Sequence, residues 1–590
     1  MKRRAPKRPA SSAARQPPAR ESRLTGWLAH HERALVASLL ALHAALVMWG
    51  AAVNSVTFDE NFHLPAGVVA VTEGRFTISP VNPPLVKVLC ALPALAIGAV
   101  PPDTAAVRSG SQAEVGESFM RRNAAHYHSI FLAARLVVLI LSLALGLLVW
   151  RFARRLHGPA GGVLALGIYA LAPEALAHGG LATLDVATGL GFTATVYAFW
   201  RFTRTGRWAD WILAVLALGT FALARFTALL AFPMLALLLL VHAARRHLHR
   251  PGRAWLGLGL LVPATMLALQ VGYLGQTSLR PLDRAHFFSA RLRSLQRAAP
   301  WLRLPLPDAW LEGLDFQTRD SEAGGTPTFL FGRERFEPIW YYFPLALLFK
   351  WPLGFLGALA HRGLRLGLGR DPPRRHQDWV LLPGLMFLLA SMFLVQLNAG
   401  VRYVFPLLPL GCVWVGGLLR RAPRAPASAA HVRVALAWLV LAGIEAGACA
   451  PWYLTFFNWP SGGPGGGYRL VNDSNVDWGQ GLIALRDEMR RRGIERIHLA
   501  YHGTTDPAIY GIDYVPYFGG TPGPESDWIA ISSYYFVGQE QRMMTQRGRT
   551  PPVAFDFRGL WNVAPAASPA RCMYLFPVPR PAGPRGPGGP

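Results

Sequence analysis

The chain has 590 residues, 52% of them hydrophobic, with a formal net charge of +26 and four cysteines. A mean hydropathy of +0.26 and recurrent apolar runs of about 20 residues, each long enough to cross a hydrocarbon core, exclude an ordinary soluble globular protein. The charge does not imply a nucleic-acid partner, because the arginines lie in short loops between apolar runs, where the positive-inside rule places them. Cys90, Cys412, Cys449 and Cys572 show no CxxC spacing, which excludes a disulfide framework or zinc site.

Residues 1–33 form a basic, Pro-rich arm expected to be disordered in the cytoplasm. The first span runs from about Ala34 to Val53. The next apolar run, Leu85 to Val100, is short, and parity decides its placement. If it spans, Arg151, Arg154 and Arg155 fall outside together with most later basic loops. If it lies flat on the outer surface, every later basic cluster falls inside. On that second basis spans follow at Ile130–Trp150, Gly161–Ala177, Val186–Trp200, Trp211–Leu223, Ala228–Val241 and Trp255–Leu274. They continue at Trp340–Ala360, Trp379–Leu397, Tyr403–Leu419 and Val434–Tyr453, for about eleven in all with one charge bias. The membrane domain is thus expected over 34–457, with outer loops at 54–129 and 275–339.

The Gly-rich stretch 458–467 reads as a flexible linker. Residues 468–578 turn soluble in character, with an amphipathic helix at Leu482–Arg492 and strands at Ile497–Tyr501, Trp528–Ser532 and Met573–Val578. A small α/β domain outside the membrane is expected there, followed by a disordered tail at 579–590.

This topology gathers Asp59, Glu60, His63, Lys87, His178, Asp185, Arg225 and Arg402 on the outer side. Ionisable groups in a membrane cost roughly 2.5–3.5 kcal/mol each at a helix centre, so their collection on one face points to a shared site. Asp59 and His63, four apart, share one side of a helix; the acid either deprotonates an acceptor hydroxyl or simply caps the helix. Lys87, after Asn82-Pro83-Pro84, either pairs with a phosphate or snorkels to lipid headgroups. Asp185 either holds a cation or caps its helix. Arg225 and Arg402 either bind phosphate or anchor the interface. Lys350 falls inside a span, as Arg135 does less deeply, and is a functional candidate paired with an acid or a phosphate.

FDENFHLPAG with NPPLVK, HGGLATLD, the segment GGTPTFLFGRERFEPIWYYFPLALLFKWPLGF, and RYVFPLLPL resemble the GT-C membrane glycosyltransferases. Within these the likeness is to the superfamily of protein O-mannosyltransferases and lipid A aminoarabinose transferases. NDSNVDWGQGLIALRDEM and YHGTTDPAIYGI look like its bacterial branch with a soluble outer domain. The resemblance implies an α-helical polytopic fold of GT-C type in the bacterial inner membrane, with the N-terminus cytoplasmic and the C-terminal domain periplasmic. It implies inverting transfer of a sugar from a polyprenyl-phosphate carrier to a hydroxyl of a protein, lipid or glycan. Asp59 would be the base or would orient the acceptor, with Glu60 and Asp185 supporting it, His63 and His178 assisting, and Asp59 and Asp185 as candidate ligands of a divalent cation such as Mg or Mn. Lys87, Arg225, Lys350 and Arg402 would stabilise the departing phosphate. No Gly-rich nucleotide loop is present, in keeping with a lipid-phosphate donor. The competing readings are a flippase for lipid-linked sugars, which would show internal repeats, and a non-catalytic envelope assembly protein acting through SNVDWGQ.

Overall fold

The computed structural model describes residues 23–578, apart from 247, 249, 324–327, 336, 371–377, 395–397, 421–428 and 539–556. Most of the N-terminal arm, the tail at 579–590 and the basic residues Arg374, Arg375, Arg421 and Arg424 lie outside the described residues.

Every segment expected to span contains a helix. Among the described residues five are long and apolar enough to cross a membrane unaided: Glu32–Val53, Ala124–His157, Phe226–Ala244, Pro251–Gly272 and Ala429–Cys449. The Asp185–Thr205 helix is long but more polar, and its Thr188, Thr193 and Thr195 are buried against other helices rather than turned to lipid. Thr188 and Thr195 donate back to the carbonyls of Leu184 and Gly191, which satisfies their hydroxyls inside the bundle.

Two of the expected straight spans are broken. Pro159–Ala170 meets Pro173–Gly179 at 63°, and Tyr342–Lys350 meets Leu353–Gly367 at 114°. Each break carries a proline, Pro173 or Pro352, whose ring cannot continue the preceding helix. The expected span Trp340–Ala360 is therefore a corner, with Lys350 at its apex.

The Leu85–Ala96 helix has 12 residues, about 18 Å at 1.5 Å per residue, too short to cross. It packs beside Glu60–Glu73, which in turn meets Gln112–Arg122, so the first loop folds into a cap of short helices. At the crossing Gly67 lies against Lys87: a Cβ there would sit 2.1 Å from the Lys87 carbonyl oxygen.

A hairpin of β1 (Thr328–Leu330) and β2 (Arg333–Arg335) precedes the broken span. The C-terminal sheet has the order β4-β3-β5-β6, from β3 (Arg496–Ala500), β4 (Asp513–Pro516), β5 (Trp528–Ser532) and β6 (Met573–Pro577). β3 runs parallel to β4 and β5, and β6 is antiparallel to β5. The Leu482–Arg492 helix forms where expected and buries Leu482, Leu485 and Met489. β4 was not expected; its Asp513 and Pro516 are poor strand residues, tolerated because the strand is at an edge.

The Gly-rich stretch is a folded turn rather than a flexible linker. Gly462, Gly463 and Gly465 take φ of 98°, 68° and 77°, and Gly465 N donates to Thr455 O at 2.9 Å. The glycines supply left-handed backbone, and Gly467 leaves room for the Phe457 ring. Nor is the C-terminal unit separate, since the strap from Asn472 to Gln480 threads back into the helical unit. Ser55 N donates to Gln480 O at 3.0 Å and Phe58 N to Trp478 O at 2.8 Å.

Reporter fusions placed after Leu274, after Tyr453 and between Pro101 and Arg121 should all read the same, outer side. A cytoplasmic signal at the last position would make Leu85–Val100 a span and break the common face.

Candidate active site

Thr57-Phe58-Asp59-Glu60 opens the Glu60–Glu73 helix in the manner of half a capping box: Glu60 Oε2 accepts from Thr57 N at 2.9 Å and Thr57 Oγ1 at 3.0 Å. Glu60 also accepts from Arg135 Nε at 2.9 Å, Arg135 Nη2 at 2.7 Å and Ala182 N at 2.7 Å. Both its oxygens are occupied and its side chain is fully buried. Glu60 is thus not a catalytic acid or metal ligand in this arrangement; it pins the loop to the 127–157 helix. Arg135 completes the pin by donating to the carbonyls of Ala51, Asn54 and Ser55.

Asp59 behaves differently. It makes no side-chain cap bond, and its Oδ2 lies 2.6 Å from Arg402 Nη1. Its side chain is 25% exposed, so part of the carboxylate is open to an incoming group. Burial works to raise the Asp59 carboxyl, but Arg402, His63 and Arg225 together hold it below the ordinary carboxylate value.

Lys87 does not snorkel. It is buried, and Nζ donates to Ser79 O at 2.8 Å and Asn82 O at 2.6 Å. An ammonium has three N–H donors, so one is left for an anion. Burial pulls it down to about 7, and a phosphate beside it would restore the charge. Asn82 Nδ2 sits 3.3 Å from His63 Nε2. Burial, outweighing the pull of Asp59, lowers His63 to about 4, so it is neutral at pH 7.

HGGLATLD forms the opposite wall. Asp185 starts the 185–205 helix, with Oδ1 3.3 Å from Arg225 Nη1 and Oδ2 3.7 Å from His178 Nδ1 and 3.1 Å from Thr183 Oγ1. The Arg225 guanidinium lies 5.2 Å from the centre of the Tyr403 ring, and Arg402 lies 5.0 Å from the same ring. Tyr403 therefore keeps two like charges close through cation–π contact. Asp59, Arg402, Tyr403, Arg225 and Asp185 form one contiguous line, with His63 beside Asp59 and Lys87 beyond His63. Apart from Tyr403, these are residues the sequence placed on one side of the membrane.

Lys350 is not among them. Its Nζ donates to Leu454 O at 2.9 Å and Asn475 O at 2.5 Å, and lies 4.5 Å from the centre of the Phe457 ring. The broken span puts it under the strap, where two backbone carbonyls take two of its three N–H donors. The carboxylates also do not suit the expected divalent cation. Arg402 holds Asp59, Arg225 holds Asp185, and among the described residues no three His, Cys, Asp or Glu side chains converge for a metal.

The sequence reading missed Tyr403 as a spacer and the strap as part of the wall. The Arg402 guanidinium also lies 4.1 Å from the centre of the Trp478 ring. Asp473 interacts with Arg402 and Asp59. His502 stacks on Tyr534 with centroids 3.8 Å apart and lies against Phe58. The available signal was NDSNVDWGQG itself, a polar and aromatic run too dense for a surface loop.

Residues 127–269 match the family described as dolichyl-phosphate-mannose-protein mannosyltransferase. Among solved structures the chain is similar to ArnT from Cupriavidus metallidurans in the apo state, at 14% identity and a TM-score of 0.44, covering 83% of this chain and 75% of that one. It is similar to the same protein bound to undecaprenyl phosphate, at 13% identity and 0.43, covering 82% and 74%. It is also similar to the oligosaccharyltransferase AglB from Archaeoglobus fulgidus with an inhibitory peptide and a dolichol-phosphate, at 14% and 0.41, covering 70% and 56%. No curated protein matches the chain.

Breaking a buried ion pair by removing one partner costs about 3–5 kcal/mol. Arg135→Met should accordingly lower Tm and yield of the purified protein sharply, and a wild-type Tm for that variant would mean Glu60 is not held as described. Residues 127–269, where this chain agrees with the dolichyl-phosphate-mannose-protein mannosyltransferase family, hold Asp185 and Arg225, one wall of the cleft, together with Arg135, which pins the other.

Proposed function

We propose that the chain is an inverting glycosyltransferase that moves a sugar from a polyprenyl-phosphate carrier to an acceptor hydroxyl at the outer membrane surface. The observation that carries this reading is the unbroken line from Asp59 through Arg402, Tyr403 and Arg225 to Asp185. Lys87 keeps one N–H donor beyond its two carbonyl partners, and Arg225 and Arg402 lie on the same line, so the site can receive an anionic leaving group. The family matched over residues 127–269 is described by a lipid-phosphate sugar donor, which supports the same class of substrate.

In the proposed step the acceptor oxygen attacks the anomeric carbon as the bond to the carrier phosphate breaks; the electron pair leaves with the lipid phosphate, and the hydroxyl proton passes to Asp59 or to the departing phosphate. Arg225, Arg402 and Lys87 meet the charge that grows on that phosphate, in a site already shaped for it. Asp59 fixes Arg402 and lies at the acceptor side, where it orients the incoming hydroxyl. Fixing a membrane-borne donor and an acceptor in one cleft removes much of the entropic barrier. The sugar and the acceptor are set by chemistry beyond these charges.

The purified protein should consume a radiolabelled polyprenyl-phosphate sugar and pass label to an acceptor in the membrane extract. Asp59→Asn and Arg402→Ala should each lower transfer by about 10²–10³-fold, the usual effect of losing one preorganised charge, without loss of membrane insertion. Transfer near the wild-type rate in both variants would remove the cleft as the site of reaction.

A further inference from the structure

The loop between the Pro251–Gly272 helix and β1 carries a charge that neither the topology nor the cleft uses. Over residues 276–305 it holds six arginines, Arg280, Arg284, Arg291, Arg293, Arg297 and Arg303, against one acid, Asp283. A long loop crosses the membrane largely regardless of its charge, so these arginines leave the topology intact and have no role in it. All six are exposed. Arg291 lies 3.8 Å from Glu322; among the described residues the other five pair with no carboxylate.

Apolar side chains stand among them. Pro281 pairs with Arg303 as an isolated antiparallel bridge, and Leu282 N donates to Leu302 O at 3.0 Å. Side chains alternate along such a pair, so Leu279 and Trp301 share the face of Arg303, while Leu282 turns inward and is buried. Trp301 is 73% exposed. The Ala290–Ala298 helix closes the lobe, with Gln296 Nε2 donating to the carbonyls of Leu282 at 2.6 Å and Ala285 at 2.8 Å. That contact leaves Leu295 exposed on one flank of the helix and Arg293 and Arg297, one turn apart, on the other.

The lobe is seated at the end of a span. Gln270, in the last turn of the Pro251–Gly272 helix, accepts from Thr277 Oγ1 at 2.7 Å and donates to Pro305 O at 3.0 Å, so both ends of the lobe start from that turn. Leu267, Val271 and Leu274 beside it are exposed, as side chains facing acyl chains are. The lobe therefore borders the headgroups around this span. Tryptophan and leucine interleaved with arginines settle in such a layer, apolar groups inward and guanidiniums on phosphate.

We propose that residues 276–305 form an anionic-lipid-binding lobe in the headgroup layer of the leaflet on the cleft's side. Leu279, Leu295 and Trp301 enter the lipid, and the arginines take phospholipid phosphates. Such a seat involves no chemical step and holds whatever reaction the cleft performs. It reaches the cleft through the Asp308–Ala323 helix. Trp310 of that helix packs with its ring centre 5.3 Å from that of Phe226, next to Arg225, and Gly313 lies against the Pro80 carbonyl on the side of Lys87. A lobe fixed on lipid holds that helix against both walls.

The test uses the full-length protein in nanodiscs of phosphatidylcholine, with and without phosphatidylglycerol. All four native cysteines are buried, so Trp301→Cys and Leu295→Cys each take a nitroxide at one exposed site. Glu495→Cys, exposed on the C-terminal unit, sets the aqueous limit. With phosphatidylglycerol present, the labels at 301 and 295 should collide more with oxygen than with a water-soluble nickel chelate. That preference should be lost without phosphatidylglycerol, and lost in its presence when Arg293→Glu and Arg297→Glu are combined. Labels that favour the chelate in both discs would overturn the proposal, as would lipid burial that ignores phosphatidylglycerol and the charge reversal. Labels shielded from both reagents would mean a protein partner on this face and would overturn it equally.

Discussion

Arg402 is the contact on which the cleft depends. It pairs with Asp59 from the first loop, 343 residues away in sequence, lies against Tyr403 of its own turn, and is covered by Trp478 from the strap. A guanidinium within reach of two aromatic rings and paired with a carboxylate is held in position, with less rotamer freedom to lose when a ligand arrives. Three distant segments therefore come to one place because a single cation needs all of them. Remove any one and the guanidinium is left half-solvated in a partly buried wall, which is costly.

The buried charges fall into two groups, separated by whether their valences are filled. Glu60 and Arg135 are saturated by their ion pair and by backbone groups, and Lys350 is held by two backbone carbonyls. They hold the loop, the long helix and the strap in register. Asp59, Lys87 and Arg225 each keep an unfilled donor or acceptor and sit at the cleft. Burial alone would have ranked Glu60 above Asp59 as a functional candidate. The count of satisfied hydrogen bonds reverses that order, because a group with no free lone pair or proton has nothing to offer a substrate.

Much of this was legible in the sequence. Apolar length and arginine placement located the segments expected to span, and the period of residues 482–492 gave its helix, whereas the loop helices Gln112–Arg122, Ala290–Ala298 and Asp308–Ala323 were not foreseen. That Asp59, Asp185, Arg225 and Arg402 share one side followed from placing charges relative to a membrane; which acid meets which arginine did not. What was not legible depended on tertiary contact. Nothing local says that Glu60 meets Arg135, 75 residues on, and that partner alone changes its role. Trp351-Pro352 could have signalled the corner at Lys350, yet an apolar run continues through it and hid the break. The Gly-rich stretch looked flexible because composition does not reveal that its positive φ angles are fixed by Asn458, Thr455 and Phe457.

The strap also explains why the C-terminal unit cannot be a detachable accessory. Asn475 alone receives Lys350 Nζ on its carbonyl, accepts Val401 N on its side chain and donates to Tyr342 Oη at 2.9 Å. Without it a buried ammonium, a backbone N–H and a phenol at the broken span would all lose partners in a low-dielectric setting, where each orphaned group costs about 1–3 kcal/mol and a charge costs more. The helical unit therefore needs the strap to stay folded around its corner, and the strap needs β3 to β6 to hold its far end at Ser533. The same segment that satisfies Lys350 carries Trp478 to the cleft. Structural necessity and access to the reacting groups are thus tied to one stretch of chain, so the membrane helices alone would present an incomplete site.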